Sequence, residues 1–392
     1  MNHKALSENE KLRPSAGAQG FTLVELVVSL VLFLIVTGAI YGLLEVGRID
    51  RNRSSRRSDI LKNARIAIQL IGRDALNAGL GYHRRGAVAP DGFLNTRFGI
   101  AADSDTDRDM VTSIMVGDNI FTDTLNTDPA ARTDTVVFSS RDLNFNPGPP
   151  AAGIVPIGEV IELTDVSFPG GAPATPRLKA KTATGAAAAQ PYDLYLIESD
   201  TSQVAIMATA VNGADTIDAQ PGDPLGLNQP LNGVGANGSV LRKCNPPSAA
   251  VPPVLDENCT TYIAGLNSAT LKRFSMVSYS VGADGTLVRT VFGNNRGGGA
   301  AGQITVQPLA YNVEDLQFEY VLEDGTVTDN PVAGADGLLG TADDDQDAVN
   351  RIRQLTVSVR VQSTEADEQT RRPEIITLNA TFSTRNMEYD AS

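Results

Sequence analysis

Gly20-Phe21-Thr22-Leu23-Val24-Glu25 heads an apolar stretch that continues from Leu26 to Leu44 without a charged residue. Those 19 residues, or 24 counted from Phe21 through the interruption at Glu25, are long enough to cross the hydrocarbon core of a bilayer as a helix. Glu25 is the anomaly, because an ionised side chain within a membrane helix costs roughly 2.5–3.5 kcal/mol on insertion scales unless something pairs with it. A cation at the same depth would serve, and cleavage between Gly20 and Phe21 would create one in the new α-amino group. A helix N-terminus also carries unpaired N–H groups and partial positive charge, so the carboxylate can equally compensate the end of a neighbouring copy. A secretory signal peptide would have an uninterrupted apolar region and a small-residue cleavage site after it. Here Lys4, Lys11 and Arg13 are offset by Glu8 and Glu10, and Glu25 breaks the run near its start. An uncleaved single-pass anchor explains the length but not the position of Glu25.

No proline occurs between Pro14 and Pro90. Ile60, Ala64, Ala67, Ile68, Ile71 and Ala75 recur at helical spacing, with Lys62, Arg65, Gln69 and Arg73 off that stripe. One helix from Phe21 to about Asn77 is therefore expected, roughly 85 Å long at 1.5 Å per residue. Its first half is apolar all round, and its second half is apolar along one face that packs on a globular head. Gly38 and Gly42 are its weak points, each costing about 1 kcal/mol relative to alanine.

Gly20-Phe21-Thr22-Leu23-Val24-Glu25-Leu26 resembles the type III signal of type IV prepilins and type II secretion pseudopilins. The resemblance implies that residues 1–20 are a leader, that prepilin peptidase cuts after Gly20 and methylates the amine of Phe21, and that Glu25 guides assembly. It further implies a single pass over residues 21–44 in the inner membrane with the head in the periplasm. The partners it implies are the membrane, an inner-membrane assembly platform, and other minor and major pilins reached through the N-terminal helix. Seven basic residues between Arg48 and Arg65 stand against Asp50 and Asp59, which the positive-inside rule alone would place in the cytoplasm. The long polar head with no second span to return it favours the prepilin orientation. Arg51, Arg53, Arg56 and Arg57 then face anionic headgroups, acidic groups of neighbouring subunits, or solvent.

Beyond residue 78 the composition changes. The whole chain has a formal charge of −14, and residues 1–77 hold 11 basic and 7 acidic side chains, so the remainder carries −18. Such a surface repels nucleic acid, which is not an expected partner. Short β-like runs occur at Thr135–Phe138, Val160–Leu163, Leu194–Ile197, Ser275–Tyr279, Leu287–Val291, Leu316–Val321 and Leu355–Val361. Turn-rich segments such as Asn146–Gly153, Gly170–Pro176 and Gly297–Gly302 separate them. The expected class is α+β: a long N-terminal helix carrying an antiparallel, β-rich head over residues 78–392. That length allows one large domain or two smaller ones. Gly297-Gly298-Gly299 lacks the following helical pattern of a phosphate loop.

With the head outside the cytoplasm, Cys244 and Cys259 are expected to form a disulfide, the alternative being a free pair. Two acidic clusters have the oxygen-rich chemistry calcium takes. One is Asp103, Asp105, Asp107 and Asp109. The other lies in an acidic loop over residues 323–350, where Asp324, Asp336, Asp343 and Asp345 are the candidate ligands. From Glu314 to Asn350 there are 11 acidic residues and no Lys or Arg, so that charge is either solvated or neutralised by a cation. An enzyme is not expected. The two histidines are His3 and His83, and no H-E-x-x-H, P-loop or dinucleotide fingerprint is present.

Leu309 to Tyr320, then Arg353 to Val361, then Thr384 to Met387 resemble in layout the PilW-like minor pilins and the related J-type minor pseudopilins. The resemblance implies a large, rare subunit near a fibre tip that initiates or caps a type IV pilus. A minor pseudopilin of type II secretion and a tip adhesin or DNA-uptake subunit are the alternatives.

Overall fold

The computed structural model describes residues 20–82, 86–90, 92–100, 109–121, 132–145, 160–167, 177–181, 189–198, 203–213, 215–228, 242–243, 261–262, 269–333, 344–366, 370–384 and 386–387. One helix, α1, runs from Leu23 to Asn77. The chain divides into two compact units, residues 1–56 and 57–392, so the last part of α1 belongs to the head.

After α1 come β1 (Ala87–Val88), a short helix α2 (Phe93–Phe98), β2 (Met110–Val111), β3 (Ile114–Phe121) and β4 (Thr133–Arg141). The middle of the head holds β5 (Val160–Ser167), β6 (Arg177–Ala180), β7 (Leu194–Glu198), β8 (Gln203–Met207), β9 (Ala210–Asn212) and β10 (Thr216–Asp218). Two-residue strands β11 (Arg242–Lys243) and β12 (Thr261–Tyr262) pair with each other. The last third contains β13 (Thr270–Val281), β14 (Leu287–Phe292), β15 (Ile304–Ala310), β16 (Val313–Leu322), β17 (Val327–Thr328), β18 (Ile352–Ala366) and β19 (Pro373–Ser383). Each of the seven β-like runs read from the sequence lies inside one of these strands. The architecture is α+β, as expected.

Strand β13 organises the larger sheet by changing partners along its length. Thr270–Arg273 pairs with β5 and β7, whereas Phe274–Val281 pairs with β4 and β14. From these two halves the sheet extends through β8, β1 and β2 on one path and β6, β10 and β9 on another, while β3 flanks β4 and β15 flanks β14. All these pairings are antiparallel except that of β1 with β8. A second sheet has the order β17-β16-β18-β19.

The stripe on α1 is buried as its spacing demands. Ala64, Ala67, Ile68, Ile71 and Ala75 join Leu316, Phe318, Val357 and Val359 of the second sheet in one core, with Ile60 partly buried against it. Gly72 faces that sheet too, and a Cβ there would fall inside the Phe382 ring of β19. Farther along, the Asp74 carboxylate accepts hydrogen bonds from the Tyr279 hydroxyl at 2.7 Å and from Arg289 Nε at 2.9 Å. Burial, then the adjacent Asp74 charge, push the Tyr279 hydroxyl above its ordinary range. This triad ties the helix to β13 and β14. Gly79, at φ +78°, ends the helical segment, and Asn386 Nδ2 donates to the Leu76 carbonyl at 2.8 Å.

The edge of β16 opposite β18 is only partly covered, since β17 pairs with Tyr320 and Val321 alone. Beyond its reach Asp134 of β4 takes the place of a strand, its Oδ2 accepting the Phe318 N–H at 2.8 Å. One residue away, Gln317 Nε2 donates to the Arg132 carbonyl at 2.9 Å. The loop at Gly297–Gly302 is tied by buried Gln303, whose Nε2 donates to the Asn295 and Gly299 carbonyls. The helical turn there spans only Ala301–Gln303, too short to cradle a phosphate.

The Gly72 contact has a measurable consequence. Alanine gains about 1 kcal/mol over glycine in an exposed helix, but overpacking a filled core costs about 1–3 kcal/mol. Gly72→Ala is therefore expected to lower the melting temperature. In a Phe382→Leu background the same substitution is expected to be neutral or stabilising, as read by thermal denaturation of the parent and the three variants.

Candidate functional site: the N-terminal signal

Thr22 is the N-cap of α1. Its carbonyl accepts the first helical bond, from the Leu26 N–H at 3.1 Å. Its Oγ1 accepts the Glu25 N–H at 3.2 Å, and Glu25 Oε2 in return accepts both the Thr22 N–H and the Thr22 hydroxyl, each at 3.2 Å. This is a capping box, in which a threonine and a glutamate three residues later satisfy each other's backbone donors. The sequence reading gave Glu25 a cleaved α-amino group or a neighbouring copy's helix end as its partner, and not the Thr22 cap. The threonine-x-x-glutamate spacing was the available signal for this local role.

Around the cap the polypeptide is open. Phe21 is 86% exposed. Gly20 has nothing within 4 Å of where a Cβ would stand, and its φ lies outside the left-handed region. Among the described residues no steric contact, and nothing in its own φ, calls for glycine at this position. From Leu23 to Val46 nearly every large apolar side chain is exposed, and α1 is long and apolar enough to cross a membrane in this part.

The family model for the prokaryotic N-terminal methylation motif matches residues 16–41. That signal, at the head of an apolar helix, fits the N-terminus of a type IV prepilin-like protein. No curated protein and no solved structure matches the chain. The methylation signal together with the apolar helix fits a membrane-anchored, pilin-like or pseudopilin-like precursor, and the motif implies processing by prepilin peptidase and assembly with other pilins.

The remaining candidate residues fall elsewhere. Cys244, Cys259, His3 and His83 lie outside the described residues, as do Asp103, Asp105, Asp107, Asp336 and Asp343. Asp109 is buried and its Oδ2 accepts the Leu94 N–H at 2.6 Å, holding the start of α2. Asp324 accepts the Thr326 N–H at 2.9 Å, and that bond lowers its pKa. Asp345 forms an ion pair with Arg351 at 2.6 Å, and Glu323 another with Arg353 at 2.5 Å. Two of the eleven acidic residues, Glu323 and Asp345, are thus met by the first two basic residues past Asn350. Among the described residues no group of three or more His, Cys, Asp or Glu is placed to hold a metal ion. Of the basic cluster, Arg51 is exposed on α1, Arg56 Nε donates to the Asn52 carbonyl at 3.3 Å, and Arg57 lies 3.9 Å from Glu374.

Capping and charge at Glu25 separate by substitution. Glutamine keeps the acceptor that closes the box and alanine removes it, so Glu25→Gln is expected to retain the helicity of the first turn and Glu25→Ala to fray it. A threonine cap is worth about 1 kcal/mol, and Thr22→Ala should fray the same turn. Amide exchange at Leu23 to Leu26 in detergent micelles reads all three.

Proposed function

We propose that this protein is a minor pilin, cleaved between Gly20 and Phe21, N-methylated on Phe21, and built into a type IV pilus where it initiates or caps the fibre. The observation that carries the reading is a glycine at position 20 that no described residue requires, one residue ahead of an exposed phenylalanine and within a matched methylation signal. A requirement for a small side chain that originates outside the fold is what a processing enzyme imposes. The apolar surface of Leu23 to Val46 would then be covered first by lipid and later by the helices of neighbouring subunits.

The large head supports a minor rather than a repeating role. Strands β16 and β18, which carry the layout resembling PilW-like minor pilins, form the centre of the sheet on which the α1 stripe packs. The same layout occurs in minor pseudopilins of type II secretion, which remains the second reading. In either system the work is structural, with Glu25 exchanging its capping hydrogen bonds for the methylated amine of an adjacent subunit during assembly.

Two measurements test this. Intact mass of protein recovered from its native host is expected to correspond to a chain beginning at Phe21, and Gly20→Val is expected to leave the leader attached with the head's melting temperature unchanged. A start site other than Phe21, or normal processing of the valine variant, overturns the cleavage assignment. For Glu25, both Gln and Ala variants are expected to be membrane-inserted but depleted from fibres. Normal incorporation of Glu25→Gln alone would make capping the whole role of the residue.

A further inference from the structure

Strand β19 closes one side of the second sheet, paired with β18 and, among the described residues, with no strand beyond it. Two observed bonds fix which of its backbone groups lie on that open side. The Glu374 N–H donates to Ser363 Oγ at 2.9 Å and the Thr384 N–H to the Arg353 carbonyl at 3.0 Å, and both acceptors belong to β18. Between them the register with β18 is unbroken from Ser383 to Ile375. Backbone groups alternate sides along a strand, so Ile376, Leu378, Ala380 and Phe382 bond toward β18. Ile375, Thr377, Asn379, Thr381 and Ser383 aim their N–H and C=O groups outward, and among the described residues nothing accepts those five N–H groups.

The other outer strands are blunted in the ways that keep a sheet from pairing further. β2 and β17 have two residues each and β9 three. β15 carries Pro308, and β3 shifts register between Gly117 and Phe121. β19 has eleven residues, no proline after Pro373, and no charged side chain from Ile375 to Ser383.

The place of this edge beside α1 says what reaches it. Arg57 lies 3.9 Å from Glu374 at the start of β19, and Gly72 meets Phe382 near its end. From Arg57 to Gly72 the helix rises about 22 Å, and from Glu374 to Phe382 the strand advances about 26 Å. Strand and helix therefore run side by side in the same direction. The Asp74 triad holds the opposite flank of the helix to β13 and β14. Arg65 and Leu76 follow within about 40° of Gly72 around the helix and are exposed, so that flank and the open edge of β19 border each other. A pilin packed along α1 meets this edge next. The border is basic in a chain whose net charge is −14. Lys62, Arg65, Arg371 and Arg372 are exposed and have no ion-pair partner among the described residues, whereas Glu374 is met by Arg57.

We propose that the open edge of β19 takes an added strand from a different, adjacent pilin-type subunit, an extended segment whose acidic side chains meet Arg371, Arg372 and the basic flank of α1. This rests on the minor-pilin reading and adds to it the surface through which the head is joined. The five outward N–H groups and their carbonyls supply main-chain hydrogen bonds, and the flanking arginines select the charge of the incoming strand.

The test uses the full chain in its native host, with fibres and membranes separated. Thr377→p-benzoylphenylalanine places a photocrosslinker on β19, and Val306→p-benzoylphenylalanine places one on β15, an exposed site on another outer strand. In fibres the Thr377 site is expected to crosslink to a different pilin-type subunit, identified by mass spectrometry, in yield well above the Val306 site. Asn379→Pro removes one outward N–H and spares the bonds to β18. Its melting temperature is expected to hold while its incorporation into fibres falls by at least about fivefold, the worth of one net hydrogen bond. If that variant does not fold, crosslinking decides alone. Arg371→Glu/Arg372→Glu is expected to lower the crosslinking yield at the Thr377 site. The proposal is overturned by equal yields at the two sites, by crosslinking only to a second copy of this chain, by incorporation of folded Asn379→Pro within twofold of the parent, or by an unchanged yield in the double arginine variant. Absence of the parent chain itself from fibres would overturn the minor-pilin reading and this proposal with it.

Discussion

One unbroken ladder of backbone hydrogen bonds, Leu23 to Asn77, has to satisfy two different surroundings. Over its first half the side chains are exposed and apolar, which only a non-aqueous environment or other apolar helices can accommodate. Over its second half a narrow stripe of alanine and isoleucine is enclosed by protein. The small residues Ala64, Ala67, Gly72 and Ala75 matter because they allow the sheet to approach closely enough for Phe382 to reach the helix backbone. Asp74 then fixes rotation about the helix axis, since its two donors come from neighbouring strands. Apolar burial supplies most of the attraction, and the charged triad supplies orientation.

The helix was legible because its two signals are strong and local: absence of proline for 75 residues and a stripe at 3.6-residue spacing. Strands such as β18 were legible for a related reason, since Leu355, Val357, Val359 and Val361 alternate with polar residues and are all buried. The alternation of Ile376, Leu378, Ala380 and Phe382 in β19 carries the same signal and went unread beside its flanking charges. Strand β8, Gln203–Met207, has no alternation because both of its faces are covered. Nothing local distinguishes such a segment from a buried loop. The pairing of β13 with β4 and β5 and the use of Asp134 as an edge cap are non-local facts, set by segments more than a hundred residues apart. At the N-terminus, the family signal drew attention to Glu25 as an intermolecular group and obscured its local bond with Thr22.

Acidic residues in this head divide by what surrounds them. Asp223 accepts four backbone N–H groups, from Leu225, Gly226, Leu227 and Asn228, and so forms the nucleus of a loop. Asp142 and Asp193 both meet Arg273, which also lies over the Phe145 ring at 4.6 Å. Asp218 meets Arg177 and Asn212. In these places a carboxylate organises turns and strand ends that the glycine-rich sequence would leave undetermined, and a cation or several amides offset its desolvation. Asp134 is as deeply buried and is met by two amides, those of Asn119 and Phe318.

The partner change along β13 also constrains the order of events during synthesis. Strand β4 ends at Arg141, yet the strand that completes its pairing begins at Thr270. Until that segment has left the ribosome, β3 and β4 form an isolated hairpin with an open edge, and β5 and β7 lack their common neighbour. Non-local pairing of this kind makes sheet closure slow. The apolar half of α1 emerges long before closure is possible, so it is available to a membrane while the strand edges of the head are still exposed.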